Sequence, residues 1–171
     1  IRLSLVGSEM CIRDSNVAPA GAPSVYVDFG HTPDSIEMTI KAARKVTTGK
    51  LIVVVGLDGD RDKIKRPMIG AICARLSDAM IVTDHNPRFE DPAIIRQMIY
   101  DGAVSERPDH DIRNLEGPER AIRIAVSMVT SGDTIIWFGP GHQEHRDIMG
   151  VRTKYSGRAQ AKAALAEAGW K

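Results

Sequence analysis

The sequence predicts one α/β domain in which a mostly parallel sheet carries helices on both faces. Short β-rich runs alternate with longer segments whose apolar residues recur at helical spacing, which is the pattern of βαβ units. The run LIVVVG (51–56) is apolar throughout, as in a strand that is buried on both faces. Right-handed crossovers between parallel strands would place helices on both sides of such a sheet.

The first strand and helix have clear boundary signals. VYVDFG (25–30) is a short β-rich run that ends in glycine. The helix is predicted over HTPDSIEMTIKAARKV (31–46), where Thr32 can cap the N-terminus and Pro33 suits the first turn. Its apolar face is predicted to consist of Ile36, Ile40 and Ala43.

The remaining elements continue the alternation. The second helix is predicted over RPMIGAICARLS (66–77), with Met68, Ile72 and Leu76 on one face. Further strands are predicted at AMIVTD (79–84), TIIWFG (134–139) and, as an edge strand, VRTKY (151–155). Further helices are predicted in DPAIIRQMIYDGA, GPERAIRIAVSMV and RAQAKAALAEAGW, at 91–103, 117–129 and 158–170.

Composition excludes several classes of function. The chain has 171 residues, 43% of them hydrophobic and 26% charged, which suits one soluble domain with a core. Its formal net charge of +1 gives no reason to expect nucleic acid or an anionic membrane as a partner. No apolar run approaches the ~20 residues of a membrane span. Cys11 and Cys73 lack metal or redox spacing, so we expect a reducing compartment such as the cytoplasm.

The N-terminal segment differs from the rest of the chain. IRLSLVGSEMCIRDS (1–15) is too short and broken for a signal peptide, and it closely resembles the translation of a sequencing adapter. We expect a non-native leader without function there. NVAPAGAPS (16–24) is predicted to be a linker, and the domain proper is predicted to span 25–171.

Polar residues collect where the predicted strands end. In parallel α/β sheets, ligands bind beyond the carboxyl ends of the strands. Four such ends are rich in polar residues, and their sequences are DFGHTPD, GLDGDRDKIKRP, TDHNPRFEDP and GPGHQEHRD. Together they hold acidic, basic, amide and imidazole groups. Because the carboxyl ends of parallel strands lie at one edge of a sheet, we expect these groups to form one cleft.

Two of these ends suggest a nucleotide. In GLDGDRDKIKRP (56–67), glycines would let the backbone approach a phosphate, and Lys63 or Lys65 could reach its oxygens. A solvated turn with paired Asp and Arg side chains is the alternative. Asp28 could accept a hydrogen bond from a ribose hydroxyl, and His31 could contact a base or phosphate. The alternative is that Asp28 caps a loop and His31 packs against its neighbours.

The other two ends suggest a small carboxylate ligand. Arg88 of HNPR (85–88) can bind a carboxylate in a bidentate fork, as an arginine such as Arg61 could, and Pro87 stiffens the backbone beside Arg88. An Asn-Pro turn with Arg88 paired to Glu90 or Asp91 is the alternative. GPGHQ (139–143) can present backbone groups to a ligand or form a tight turn.

In this order the four motifs resemble those of the C-terminal domain of the Mur ligases, from about Val25 to Trp170. VDFGHTPD is similar to D-[YF]-[AG]-H-T-P-[DE], and GLDGDRDKIKRPMIG to G-x-G-G-D-R-D-x-x-K-R-P-x-M-G. TDHNPRFEDP is similar to T-x-D-N-P-R-x-E-D-P, and GPGHQ to G-K-G-H-E. The resemblance is nearest to the MurE type, the tripeptide synthetases of bacterial peptidoglycan assembly, and it implies a Rossmann-like fold.

The resemblance implies an ATP-dependent amide ligase that adds a diamino acid to UDP-MurNAc-L-Ala-D-Glu. It implies that Asp28 holds the ATP ribose, His31 lies beside the nucleotide and Lys63 approaches the terminal phosphate. The N-terminal domain and the central ATPase domain, with its P-loop and Mg²⁺ ligands, would lie outside this sequence. No metal ligand is expected in this chain, and the chain alone is expected not to catalyse.

The resemblance also implies how the amino acid is bound. Arg61, Asn86 and Arg88 would bind its carboxylates, and Gly139 and Gln143 would hold its distal end. The segment His85–Arg88, which includes Pro87, would then select the third peptide residue. In the D-N-P-R type this residue is usually meso-diaminopimelate, whose distal carboxylate matches Arg88.

The sequence departs from the family pattern at several positions. His85 replaces the Asp of D-N-P-R, and Gln143 replaces the Glu of G-K-G-H-E, with Glu144 one position later. Pro140 replaces the Lys of that motif, and Asp58 replaces one glycine of the G-G pair, where it is expected to tighten the turn. Without the two carboxylates at positions 85 and 143, an ammonium group would be bound more weakly. L-Lysine and L-ornithine therefore stay as alternatives to diaminopimelate.

Three other functions compete with this one. A stand-alone module could bind a nucleotide or amino acid without chemistry. A dehydrogenase is disfavoured because no G-x-G-x-x-G follows the first strand. Folate-type polyglutamate ligation shares the architecture, but HNPR points to the tripeptide branch.

Overall fold

Five parallel strands form the central sheet of the computed structural model, which describes residues 16–170. The strands lie in the order β1-β5-β2-β3-β4, and every neighbouring pair is parallel. Their bounds are β1 Ser24–Asp28, β2 Leu51–Val55, β3 Ala79–Val82, β4 Ile112–Asn114 and β5 Thr134–Phe138. The predicted fold class, a parallel α/β sheet, is confirmed.

Helices cover both faces of the sheet. On one face, α1 (Pro33–Val46), α2 (Lys65–Leu76) and α3 (Pro92–Glu106) pack over the odd-numbered residues of β2. On the other face, α4 (Pro118–Ser127) and α5 (Gly157–Glu167) pack over its even-numbered residues. Successive side chains of a strand point to opposite faces, so a strand that is covered on both sides must be apolar throughout. This is why LIVVV carries no polar residue.

The predicted start of α1 is confirmed, while the predicted face of α2 is partly wrong. Thr32 and Ser35 form a reciprocal capping box, and Pro33 occupies the first turn. In α2, Ile72 is buried, but Met68 is 51% exposed. The buried stripe instead runs through positions 66, 69 and 73, which are spaced by three and four residues. Met68 falls outside this stripe.

A short antiparallel hairpin lies beside the main sheet. It pairs β6 (His145–Ile148) with β7 (Val151–Lys154), so VRTKY forms a strand but does not join the edge of the central sheet. The Arg88 N–H donates to the Asp147 carbonyl (3.2 Å), and the Met149 N–H donates to the Arg88 carbonyl (2.8 Å). The hairpin therefore holds the backbone of the HNPR segment. The sequence analysis missed β6 and the three-residue strand β4.

The segment predicted to be a linker packs against the domain. The Val17 N–H donates to the Val25 carbonyl at 2.9 Å, and Asn16 forms an antiparallel bridge with Tyr26. The side chains of Val17 and Ala18 contact the apolar cluster under α4 and α5. The predicted leader, 1–15, lies outside the described residues.

A buried ion pair joins the loops that follow β2 and β3. The Arg66 side chain is fully buried, and its two terminal nitrogens each lie 2.9 Å from a carboxylate oxygen of Glu90. Glu90 also accepts from the Asp60 N–H at 2.6 Å and lies 3.4 Å from the Lys63 ammonium. The Arg66 bonds, reinforced by these neighbours, lower the pKa of Glu90 to about 2. This fork fixes the stretch GLDGDRDKIKRP (56–67), called the glycine-rich loop below, against the HNPR segment (85–88).

Helices α2 and α3 approach each other at two glycines. A Cβ atom built on Gly70 would lie 2.0 Å from the Ile99 carbonyl oxygen. A Cβ atom on Gly102 would lie 2.2 Å from the Pro67 carbonyl oxygen and 2.5 Å from the Pro67 Cα. Because the opposing atoms belong to the backbone, they cannot rotate away, and only glycine permits this spacing.

We expect Gly102→Ala to destabilise the fold by about 1–3 kcal/mol, because overpacking against backbone outweighs the helix propensity of about 1 kcal/mol that alanine adds. Urea unfolding would measure this difference. Ser105→Thr is the matched control, since it adds one methyl group at an exposed position of the same helix and should change stability by less than about 0.5 kcal/mol. Equal stability of the wild type and Gly102→Ala would contradict the close approach of the helices.

We expect Glu90→Gln to cost about 3 kcal/mol near neutral pH, because it leaves the buried Arg66 guanidinium without a counter-charge. The folded-state pKa of Glu90, about 2, lies below its ordinary value of 4.5. The stabilisation from ionised Glu90 is therefore complete above the higher value and is lost as pH falls towards the lower one.

Urea unfolding of the wild type and Glu90→Gln as a function of pH checks this expectation. The difference between the two proteins should shrink as the solution is acidified through that window. Glu106→Gln is the control, since Glu106 pairs with Arg75 at the surface (3.3 Å), where a pair contributes at most about 1 kcal/mol. A difference that does not vary with pH would show that ionised Glu90 does not stabilise the fold.

Candidate functional site

The sheet topology brings the four polar strand ends to one edge. Strand β5 lies between β1 and β2, with Phe138 in register with both Asp28 and Val55. The Gly139 N–H donates to the Asp28 carbonyl (3.0 Å), and the Gly56 N–H donates to the Phe138 carbonyl (3.2 Å). The GPGHQ segment is therefore held between DFGHTPD and GLDGDRDKIKRP, as the expectation of one cleft requires.

A cavity of about 370 Å³ opens among these loops, within the size range of small-molecule sites. It is lined by four of the predicted site residues, His31, Arg61, His85 and Gly139, and by Phe29, Leu57, Asp58, Asp62 and Lys65. The other predicted residues lie around this cavity without lining it, and they are Asp28, Lys63, Asn86, Pro87, Arg88 and Gln143.

Asp58 connects the cavity to the HNPR segment. Its carboxylate lies 3.0 Å from Arg88 Nη2 through Oδ2 and 3.4 Å from His85 Nε2 through Oδ1. The alternative partners of Arg88, Glu90 and Asp91, are used elsewhere, because Glu90 binds Arg66 and Asp91 caps α3. Sequence reasoning noted Asp58 as a departure from the motif but did not find this contact.

His85 is buried and uncharged at neutral pH. Burial is the main cause that lowers its pKa to about 4, and the positive charges of Arg146 and Arg88 add to this effect against the opposing charge of Asp58. Its carbonyl oxygen accepts from Arg146 Nε (3.1 Å) and Nη2 (3.0 Å). Asp58 therefore has Arg88 as its charged partner in this group.

Asn86 holds the neighbouring loops in place. Its Nδ2 donates to Gln143 Oε1 (3.1 Å), and its Oδ1 accepts from the Asp147 N–H (3.1 Å). Its backbone carbonyl accepts from the Gly59 N–H at 2.8 Å. Asn86 and Gln143 thus contact each other. These hydrogen bonds connect the end of β3 with β6 and with the GPGHQ turn.

The end of β1 carries an aromatic group. Asp28 Oδ1 accepts from the Gly30 N–H at 2.5 Å, which tightens the turn after the strand. The ring of Phe29, 42% exposed, lies 5.1 Å from the His31 ring in an edge-on contact and 6.2 Å from the His142 ring. Sequence reasoning missed Phe29, although an apolar residue beside a predicted site residue was a usable signal.

The glycine-rich loop carries exposed cationic side chains. Lys63 is exposed and lies 3.4 Å from Glu90. Arg61 is exposed on the cavity wall, and no residue within 16–170 forms a hydrogen bond or ion pair with its side chain. A guanidinium without a partner is free to bind an anion.

A second cavity, of about 410 Å³, lies on the other side of the HNPR segment. It is lined by Asp84, Arg88, Glu116 and Arg146, and by the exposed apolar side chains of Phe89, Ile148 and Met149, among others. Asp84 pairs with Arg96 and accepts from the Gly117 N–H at 2.8 Å. Arg146 was not predicted, because nothing in the sequence places the hairpin against this segment.

A metal-binding cluster and a helix able to cross a membrane are both absent from the described part of the chain. Residues 16–170 contain no group of three or more His, Cys, Asp or Glu side chains arranged to hold a metal ion. None of the helices in this range has the length and apolar character needed to cross a membrane.

Comparison with known proteins places the chain in a family. Residues 14–141 match the family model described as "Mur ligase, glutamate ligase domain". The chain is 45% identical over 148 residues to UDP-N-acetylmuramyl-tripeptide synthetase of Leifsonia xyli subsp. xyli (strain CTCB07), covering 86% of this chain and 29% of that protein. It is 46% identical over 143 residues to UDP-N-acetylmuramoyl-L-alanyl-D-glutamate–2,6-diaminopimelate ligase of Chelativorans sp. (strain BNC1), covering 84% and 28%.

A solved structure supports the same relationship. The structure of a UDP-N-acetylmuramoyl-L-alanyl-D-glutamate–2,6-diaminopimelate ligase matches with a TM-score of 0.77 at 25% identity, covering 90% of this chain and 33% of the other. The chain thus spans less than a third of the length of the two curated relatives. Its fold, its four strand-end motifs and these matches show that the chain belongs to the Mur ligase family and corresponds to the C-terminal domain of a MurE-type ligase.

Proposed function

We propose that this chain is the substrate-binding C-terminal domain of an ATP-dependent ligase that adds a diamino acid to UDP-MurNAc-L-Ala-D-Glu in peptidoglycan synthesis. The observation that carries the proposal is the cavity in which His31, Arg61, His85 and Gly139 meet. Residues from all four motifs border this single space. We further propose that the enzyme works in the cytoplasm.

The proposed reaction has two steps. The terminal phosphoryl group of ATP is transferred to the D-glutamate carboxylate, giving an acyl phosphate and ADP. The deprotonated amino group of the diamino acid then attacks the acyl carbon, an amide bond forms, and phosphate leaves. This domain would contribute by holding the nucleotide and the amino acid in position, because orientation of reactants accounts for much of the rate of such transfers.

The nucleotide would bind at the end of β1. Asp28 would hold the ribose, His31 would lie beside the nucleotide, and Lys63 would approach the terminal phosphate. The exposed rings of Phe29 and His142 beside His31 offer a surface on which a base can stack. The Mg²⁺ that accompanies ATP would be held by a domain outside this chain.

The amino acid would bind between the glycine-rich loop and the HNPR segment. Arg61, whose guanidinium has no partner within the described residues, would bind a carboxylate. Asn86, Pro87 and Arg88 would shape the distal end of the site with Gly139 and Gln143. A Cβ atom at Gly139 would lie 2.6 Å from the Gly56 carbonyl oxygen and 3.2 Å from His85, so the packing of this turn requires glycine.

We propose meso-diaminopimelate as the amino acid, since this substrate carries two carboxylates, and the guanidinium of Arg61 borders the cavity while that of Arg88 lies on the adjoining HNPR segment. L-Lysine and L-ornithine are the alternatives, because the family carboxylates at positions 85 and 143 are replaced here by His85 and Gln143. A non-catalytic module that binds a nucleotide or amino acid is the remaining alternative.

The decisive assay offers meso-diaminopimelate, L-lysine and L-ornithine in parallel to the full-length ligase that contains this domain, with ATP and UDP-MurNAc-L-Ala-D-Glu. We expect diaminopimelate to be incorporated with a kcat/KM at least about tenfold above the other two, the effect of one charge-assisted bond. Preference for lysine or ornithine would refute the choice of amino acid. Activity with none of the three would refute the ligase proposal.

We expect the isolated 171-residue chain to form no tripeptide, because the proposed phosphoryl-transfer groups lie in another domain. Mass spectrometry of the reaction mixture would detect the product. The full-length ligase at equal concentration is the positive control, and tripeptide formed by the isolated chain would refute this division of labour.

We expect Phe29→Ala to raise the KM for ATP by about threefold to tenfold, because it removes a stacking surface. The KM for the amino acid should stay the same. Phe89→Ala is the matched control, since Phe89 is also exposed but borders the second cavity. An equal change of the ATP KM in both variants would place the nucleotide elsewhere.

A further inference from the structure

We infer that Asp58 receives the distal ammonium group of the incoming diamino acid. The inference rests on the proposed ligase function and assigns to this chain a specificity residue that the family pattern does not contain, because that pattern has glycine at this position. The ligand class it implies is a diamino acid with a zwitterionic distal end.

The position of Asp58 supports this role. Its carboxylate borders the 370 Å³ cavity beside Arg61, His85 and Gly139. The side chain is partly exposed, so a ligand can reach it, while Arg88 holds one of its oxygens at 3.0 Å. An acceptor that is fixed before the ligand arrives loses little side-chain entropy on binding.

The other candidates for this role are excluded one by one. His85 is buried and neutral, and Gln143 is an amide that already accepts from Asn86. Glu144, one position beyond the family carboxylate, is exposed and does not border the cavity. The two carboxylates that do border it within the described residues are Asp58 and Asp62. Asp62 accepts from the Ile64 N–H of its own loop at 2.9 Å, and of the two it is Asp58 that contacts Arg88. Asp58 remains.

Arg88 then has two tasks. Its Nη2 donates to Asp58 at 3.0 Å, and its side chain, which is 30% exposed, lies on the wall of the second cavity. A guanidinium has five donors, so a single bond to Asp58 leaves capacity for a carboxylate. Asp58 borders the first cavity and Arg88 the second, and their 3.0 Å contact puts an acceptor and donors side by side at the boundary between the two. This combination matches a carbon atom that carries both an ammonium and a carboxylate, as the distal carbon of diaminopimelate does.

The experiment compares two substrates of the full-length ligase that contains this domain. One is meso-diaminopimelate, and the other is L-2-aminopimelate, which keeps the distal carboxylate but lacks the distal ammonium. We expect the wild type to prefer diaminopimelate by about tenfold to a hundredfold in kcat/KM, the effect of a charged hydrogen bond. In Asp58→Asn, which keeps the shape of the side chain, the preference should fall to within about threefold.

Two controls separate recognition from general damage. Asp101→Asn removes an exposed carboxylate on α3, outside both cavities, and should leave the preference as in the wild type. Glu144→Gln should also leave it unchanged. A merely structural role of Asp58 would lower the activity of Asp58→Asn with both substrates by the same factor and keep their ratio.

The possible failures are distinguishable. If the wild type ligates no diamino acid, the proposed function fails, and the inference fails with it. If the wild type is active and Asp58→Asn keeps the full preference for diaminopimelate, the ligase proposal stands and Asp58 is not the acceptor. Loss of the preference in Glu144→Gln instead would assign the role to Glu144 and overturn the inference.

Discussion

The arrangement of the site depends on the neutralisation of one buried charge. A guanidinium without a counter-charge in the interior costs several kcal/mol, so the fully buried Arg66 of α2 requires Glu90. Glu90 lies in the loop after β3, whereas Arg66 follows the loop after β2, and their fork therefore holds these two loops together. Asp58 and Arg88, one from each loop, meet at 3.0 Å because this fork, together with the bond from the Gly59 N–H to the Asn86 carbonyl (2.8 Å), fixes the distance between the loops.

Strand order supplies the second constraint. Because β5 inserts between β1 and β2, the last polar motif of the chain lies between the first two. The close contacts at this junction leave no space for side chains, and a Cβ atom on Gly139 would lie 2.6 Å from the Gly56 carbonyl oxygen. The proposed nucleotide end of the cavity and the proposed amino-acid end thus share a wall made of backbone. Such a wall cannot repack, so the two ligands would keep a fixed relative position.

Sequence reasoning predicted the elements whose signals are local. The cap at Thr32, the apolar β2 and the polar strand ends follow from neighbouring residues, and the structure has each of them. Contacts between distant segments could not be predicted in this way. The Arg66–Glu90 fork spans 24 residues and the Asp58–Arg88 pair spans 30, and both depend on the order of the strands. Strand β4 was missed because three partly polar residues carry no periodic signal.

Three of the four departures from the family motifs can be explained by one electrostatic balance. An aspartate at position 85, as in the family pattern, would add a second carboxylate on the side of Asp58 that faces His85, whose Nε2 lies 3.4 Å from it. Like charges repel, and the two carboxylates would share the nearby cations Arg88 and Arg146. A neutral His85 removes this repulsion. Under the proposed function, Asp58 would supply the carboxylate for the ammonium group, and the amide at 143 accepts from Asn86. We therefore interpret the substitutions at 58, 85 and 143 as one exchange, in which a single carboxylate on the glycine-rich loop would replace two on the neighbouring strand ends.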